Sequence, residues 1–165
     1  MKKFLLALCV LSACTHATTT TTTTNGPIAA EPSKTPAPPP APARAEGLTG
    51  AATAKGAVSA FLDAVKAQDI QAMSVIFGTN HGPSRDNMDR AELEKRLIIL
   101  QCYFSHDKFR ILDETLGEGG HRVITVELTK GANIRSPRFY AIAGPANRYY
   151  VDNMEIAAVR DFCRK

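Results

Sequence analysis

Apolar residues in the middle of the chain recur with a helical spacing. Val58, Phe61, Leu62 and Val65 fall at i, i+3, i+4 and i+7, one stripe of an amphipathic helix. Asp69 is placed to cap a shorter helix that carries Ile70, Met73 and Phe77 and stops at Gly78. Gly78-Thr79-Asn80-His81-Gly82-Pro83-Ser84 then reads as a loop. A third helix follows, with Asp89 and Glu92 in a capping-box relation, Asp standing where Ser or Thr is usual, and Met88 placed to staple onto Leu93. Leu93, Leu97, Leu100 and Phe104 form its stripe. Ile98 and Ile99 are expected to widen it, which predicts a core helix.

After His106 the period changes from helical to two. Phe109 and Ile111 alternate with Arg110 in a first strand, and Ile124, Val126 and Leu128 share one face of a second over Arg122 to Leu128. Gly117-Glu118-Gly119-Gly120 joins these two as a hairpin turn. A third strand is predicted over Arg138 to Ala143. Gly144-Pro145-Ala146-Asn147 turns into a fourth from Arg148 to about Ile156, and Ala157 to Phe162 closes as a short helical turn. Three helices ahead of an antiparallel meander of about four strands make an α+β domain over residues 51–165, with the helices on one face of a curved sheet.

The first 50 residues have another pattern. Lys2 and Lys3 precede a short apolar run from Phe4 to Val10, far shorter than the roughly 20 residues that cross a bilayer. A positive start, a short apolar core and small residues at its end are the features of a secretory signal peptide. Leu11-Ser12-Ala13-Cys14 resembles the lipobox of bacterial lipoproteins. That resemblance implies removal of residues 1–13, a diacylglyceryl group on the Cys14 sulfur and stable membrane anchorage through two or more acyl chains. Thr15 is not the aspartate associated with inner-membrane retention, so the expected location is the periplasmic face of the outer membrane in a host with two membranes.

From Cys14 to Gly50 the chain is mainly threonine, proline and alanine, including seven of its ten prolines. Such a composition buries too little apolar surface to offset ordering entropy, so residues 14–50 are expected to be a disordered linker. Pro36 to Pro42 favours extended polyproline II, making the linker a spacer between membrane and domain. Charge adds little to this picture. The formal net charge is +4, and without Lys2 and Lys3 the balance is 18 basic against 16 acidic residues, with no basic run. Nucleic-acid binding is not supported.

With Cys9 in the leader and Cys14 lipidated, Cys102 and Cys163 remain. Outside the cytoplasm two leftover thiols in a small domain suggest a disulfide pinning the C-terminal turn to the third helix. The alternative is two buried free thiols. Neither cysteine has a second ligand at short spacing, so no metal site is expected.

Ala60-Phe61-Leu62-Asp63-Ala64-Val65-Lys66-Ala67-Gln68-Asp69, the Leu93 helix, and strands ending in Tyr149-Tyr150-Val151-Asp152-Asn153 resemble the nuclear transport factor 2-like superfamily. The resemblance covers roughly residues 51–160. It implies a conical α+β barrel, a fold shared by ketosteroid isomerases, polyketide cyclases and many non-catalytic lipoprotein domains. That family carries a small strand pair between its second and third helices. Here Thr79 to Asp86 is short and turn-rich, so the pair is expected to be reduced or absent.

An enzyme of this shape needs a carboxylate or histidine base inside the cone with a donor facing it. The candidates are His106, Asp107, Tyr140, Tyr150 and Asp152, each of which also has an ordinary structural reading: cap, core filler or bulge. His81 and His121 sit beside glycines in turns and are expected to be exposed. The four histidines have no metal-ligand spacing, and no phosphate loop, dinucleotide fingerprint or nucleophile elbow is present. No cofactor is expected. The expected function is a membrane-anchored lipoprotein whose cone binds a small hydrophobic ligand or an envelope protein. The alternatives are an isomerase- or cyclase-like enzyme and a module that self-associates as a homodimer through its sheet face.

Overall fold

The computed structural model describes residues 49–164. The leader, the lipidation cysteine Cys14 and the linker up to residue 48 lie outside the described residues, as does Lys165.

Helix α1 (Ala54–Ala67) begins at Thr53, whose hydroxyl accepts the Gly56 N–H at 3.0 Å, and ends at Gln68 with a left-handed backbone, φ 56°. Val58, Phe61, Leu62 and Val65 are buried along its stripe. Asp69 caps α2 (Ile70–Ile76) by accepting from the N–H groups of Gln71 and Ala72 at 3.0 and 2.9 Å. Two-residue strands β1 (Gly78–Thr79) and β2 (Gly82–Pro83) pair antiparallel within the stretch read as a loop. A single-turn helix α3 (Ser84–Asn87), not foreseen in the loop reading, leads into α4 (Arg90–Tyr103).

Asp89 caps α4 by accepting the Glu92 N–H at 3.0 Å, while the Glu92 carboxylate pairs forward with Arg96 at 2.8 Å. Leu93, Leu97 and Leu100 are buried, and Phe104 just beyond them is fully so. Ile98 and Ile99 depart from the expectation: they are 51% and 54% exposed. The reason is the helix's neighbours. α4 leans on α2 and on the C-terminal segment rather than on the sheet, so only a narrow stripe is covered.

The sheet runs β3 (Lys108–Leu116), β4 (Arg122–Lys130), β6 (Arg138–Ala143), β7 (Tyr149–Met154) in spatial order, all antiparallel, with β5 (Asn133–Arg135) also on β4. There are thus five strands in this sheet instead of about four. β5 and β6 share one edge of β4, and Pro137 between them still accepts the Val126 N–H at 3.1 Å through its carbonyl. α1, with α2 beside it against β7, packs on the inner face, where Ile124, Val126, Leu128, Phe139 and Val151 are fully buried. Phe139 is the hub, its ring centroid 6.4 Å from Phe61 and 5.1 Å from Phe104. The free edge of β3 carries a bulge at Leu112 and charged residues Lys108, Arg110, Asp113 and Glu114, features that discourage edge-to-edge pairing.

The start of the described chain is fastened to β7. Ala51 and Tyr149 exchange backbone hydrogen bonds at 2.9 and 2.8 Å, and Arg148 donates to the carbonyls of Thr49 and Gly50 at 3.1 and 2.8 Å. The Tyr150 ring wedges between Gly50 and Gly144: a Cβ on either would stand 2.9 Å from it. Its hydroxyl shares a 2.9 Å hydrogen bond with that of Thr49.

A 3-10 segment, Ile156–Cys163, ends the domain with Val159 and Phe162 buried. It is held by an Arg135–Asp161 ion pair, by Lys130 donating to the Phe162 carbonyl, and by a Cys102–Cys163 disulfide whose Cα atoms are 5.1 Å apart. A cross-link spanning 61 residues stabilises a chain by about 4 kcal/mol in the loop-entropy treatment. Peptide mapping without reduction is expected to recover Cys102 and Cys163 in one linked fragment. Cys102→Ser, Cys163→Ser and the double variant are each expected to lose the same stability, by up to about 4 kcal/mol in denaturant titration. Additive losses from the two single changes would contradict the bridge.

Candidate functional site

Strand β7 is irregular where the sequence drew attention to it. Its pairing with β6 shifts between Tyr140 and Ala141, so Asp152 has no residue opposite it and forms a bulge. The next residue closes the strand's free side: the Asn153 side chain accepts the Met154 N–H at 2.8 Å. Farther back, a parallel bridge from Phe77 covers Val151. The bulge turns Asp152 toward the β3–β4 hairpin, where its Oδ2 lies 2.7 Å from His121 Nε2.

His121 was expected to be an exposed turn residue; it is instead half-buried and paired. The short 3-10 turn Glu118–Gly120 puts the Glu118 carbonyl 2.9 Å from His121 Nδ1, and the ring stands edge-on to Tyr140 with centroids 6.4 Å apart. Both nitrogens therefore face oxygen acceptors, an arrangement that the doubly protonated imidazolium satisfies. The hydrogen bond to Asp152 raises the His121 pKa, with the Glu118 carbonyl and the Asp152 charge adding to it against a desolvation penalty. A general base needs a lone pair free to face its substrate. His121 has both nitrogens committed inside the protein, so this His–Asp pair acts as a strap between hairpin and bulge.

Beside the bulge, between α4 and the end of β7, lies an open groove of about 370 Å³. Phe77, Ile99, Leu100, Met154 and Ile156 make its apolar lining, and Arg96, Asp152 and Asn153 supply the polar groups. Ile99 belongs to this lining, and that accounts for its exposure. Sequence periodicity missed Ile99, Arg96 and His121 as site residues. No local signal marked the histidine: the pairing of Arg122 with Ala141 and of Ala141 with Val151 is what sets it near the Val-Asp-Asn bulge.

The remaining candidates occupy separate places. Tyr150 is buried in the glycine clasp, its hydroxyl engaged by Thr49. Tyr140 pairs with Val123 on the opposite face of the sheet from the core. Asp107 accepts the Gly131 N–H at 2.7 Å, a turn role. His106 is buried where α4 meets β3, its ring edge-on to Phe109 at 5.5 Å and its Nδ1 2.8 Å from the Phe104 carbonyl. Burial pushes its pKa down. The Phe104 carbonyl, Asp63 and Asp107 act against this, and Lys66 acts with it. Among the described residues no three His, Cys, Asp or Glu side chains form a metal-ligand cluster, and no helix is long and apolar enough to cross a membrane.

Comparison with known proteins returns nothing: no protein-family model matches the chain, and no curated protein or solved structure matches it.

The His121 strap has a pH signature. A raised folded-state pKa means that the pair stabilises the fold fully below the ordinary histidine value, about 6.5, and that this contribution disappears as pH rises through the raised value. Asp152→Asn is expected to return the His121 pKa toward its ordinary value in an imidazole NMR titration. It should also flatten the pH dependence of stability in this window, at a cost below about 1 kcal/mol for so accessible a pair.

Proposed function

We propose that this chain is a lipid-anchored envelope lipoprotein whose α+β domain is a non-catalytic binding module. The lipobox-like Leu11-Ser12-Ala13-Cys14 supports the anchor, and the Thr/Pro/Ala-rich stretch behind it supports a spacer. The order of helices, small strand pair, further helices and antiparallel sheet supports kinship with nuclear transport factor 2-like cones. In this chain the inside of the cone is occupied: Phe61, Leu62, Met73, Phe104 and Phe139 are all fully buried there.

The observation that carries the reading is the groove between α4 and β7. Its volume of about 370 Å³ lies in the range of small-ligand pockets, and five apolar side chains line it beside a few polar ones. A small hydrophobic ligand, or an apolar side chain of an envelope protein, fits that chemistry. An isomerase- or cyclase-like reading has less support, because Asp152 is engaged by His121 and none of the candidate bases faces a tyrosine across an open space. Self-association through the sheet face also has less support, since the ion pairs Arg110–Glu127 and Arg138–Glu155 cross it.

Two measurements test this, one for each half. The mature chain is expected to show acyl mass on Cys14 and to fractionate with membranes, and Cys14→Ser should abolish both; an intact mass without acyl groups would reject the anchor. For the groove, the full chain should enhance the emission of 1-anilinonaphthalene-8-sulfonate. Ile99→Glu should weaken that binding by about tenfold while changing stability by no more than about 0.5 kcal/mol, as expected for an exposed position. Unchanged dye binding would place the apolar site elsewhere.

A further inference from the structure

The opposite flank of α4 holds a second cleft, of about 300 Å³, with a different lining. Lys66 and Gln68 reach it from the end of α1, Gln101 from α4, Ser105 and His106 from the connection to β3, and Lys130 from the end of β4. Val65 and Ile98 supply an apolar wall, so both isoleucines of α4 that the core leaves uncovered border clefts. We infer that this cleft is a binding site for a phosphate group.

Three observations converge on that ligand. The first is charge. The ammonium of Lys66 donates to the Asp107 carbonyl at 2.8 Å and that of Lys130 to the Phe162 carbonyl, and neither forms an ion pair with a carboxylate among the described residues. Each ammonium keeps further N–H donors.

The second is a pair of buried polar atoms. Gln101 Nε2 and His106 Nε2 are both shielded from solvent and have no hydrogen-bond partner among the described residues, and the whole His106 residue is only 6% exposed. Buried polar atoms without partners are uncommon, and two beside one cleft mark a place that a polar ligand completes.

The third is their complementarity. His106 commits its Nδ1–H to the Phe104 carbonyl, so the neutral ring offers Nε2 as an acceptor, whereas Gln101 offers N–H. The ligand must therefore both donate and accept, and must carry negative charge for the lysines. A hydrogen-phosphate group does all three: its O–H donates to His106 Nε2, and its remaining oxygens accept from Gln101 and the two ammoniums. A carboxylate ionised at neutral pH lacks the O–H. A polyol lacks the charge. Val65 and Ile98 leave room for a short apolar substituent. This site is independent of the groove on the other side of α4 and stands if that reading fails.

The test uses the full chain carrying Cys14→Ser, so that no attached lipid contributes. Histidine ring NMR is followed during titration with inorganic phosphate, with chloride at equal ionic strength, and with soluble dihexanoyl phosphatidic acid. A saturable shift of the His106 Nε2 resonance with phosphate and not with chloride is expected. Lys66→Gln combined with Lys130→Gln should weaken it by about tenfold or more, and Lys95→Gln, an exposed control on α4, should leave it unchanged. Gln101→Leu should weaken phosphate binding several-fold without lowering the thermal stability of the unliganded chain, which separates a ligand contact from a structural one. Tighter binding of the phosphatidic acid than of phosphate assigns the group to a lipid headgroup; equal binding assigns it to the free or generic phosphate. Absence of saturation with both, or equal shifts in the double lysine variant, overturns the site.

Discussion

The inner face of the sheet must be covered, and one helix does most of that work. Ile124, Val126, Leu128 and Phe139 make an apolar surface that β-pairing alone leaves open to water, and α1 lays Val58, Phe61, Leu62 and Val65 across it. Burying a single phenylalanine or leucine side chain contributes about 1.5–3 kcal/mol, so this contact outweighs any ion pair on the surface. The aromatic contacts from Phe61 through Phe139 to Phe104 carry the covered surface to the end of α4. Side chains from helix and sheet fill the space between them among the described residues. The open clefts described above lie along the flanks of α4, the helix with least of its surface committed.

Much of this architecture is legible in the residues. Asp69 and Asp89 cap the helices that they were expected to cap, because an Asx side chain in that position meets otherwise unpaired N–H groups whatever the surroundings. The period-two run at Ile124, Val126 and Leu128 forms the inward face of β4 because alternation is a property of the extended backbone itself. Ile98 and Ile99 show the limit of such reasoning. Periodicity reports which residues share a helix face, and it cannot report how wide a strip the neighbours will cover.

The candidate site was harder to read for a related reason. Each of His106, Tyr140, Tyr150 and Asp152 looked available as an isolated letter. Asp152, Tyr140 and Tyr150 turned out to be defined by partners far along the chain, His121 for the first two and Thr49 for the third, and His106 by its near neighbours Phe104 and Phe109. The short β5 and the one-turn α3 were missed because their three and four residues hold no measurable period. Only the tertiary register, with its bulge in β7, brings residues 121 and 152 within hydrogen-bonding distance.

The clasp around Thr49 and Gly50 bears on mechanics. The described chain enters at a point held by Arg148, by the Tyr150 hydroxyl and by paired backbone bonds to Tyr149, so a tensile load arriving through the preceding residues meets those bonds before it reaches α1. Its first effect is to strip a two-residue margin from the side of β7, and the helix that covers the core stays seated until that margin has peeled away.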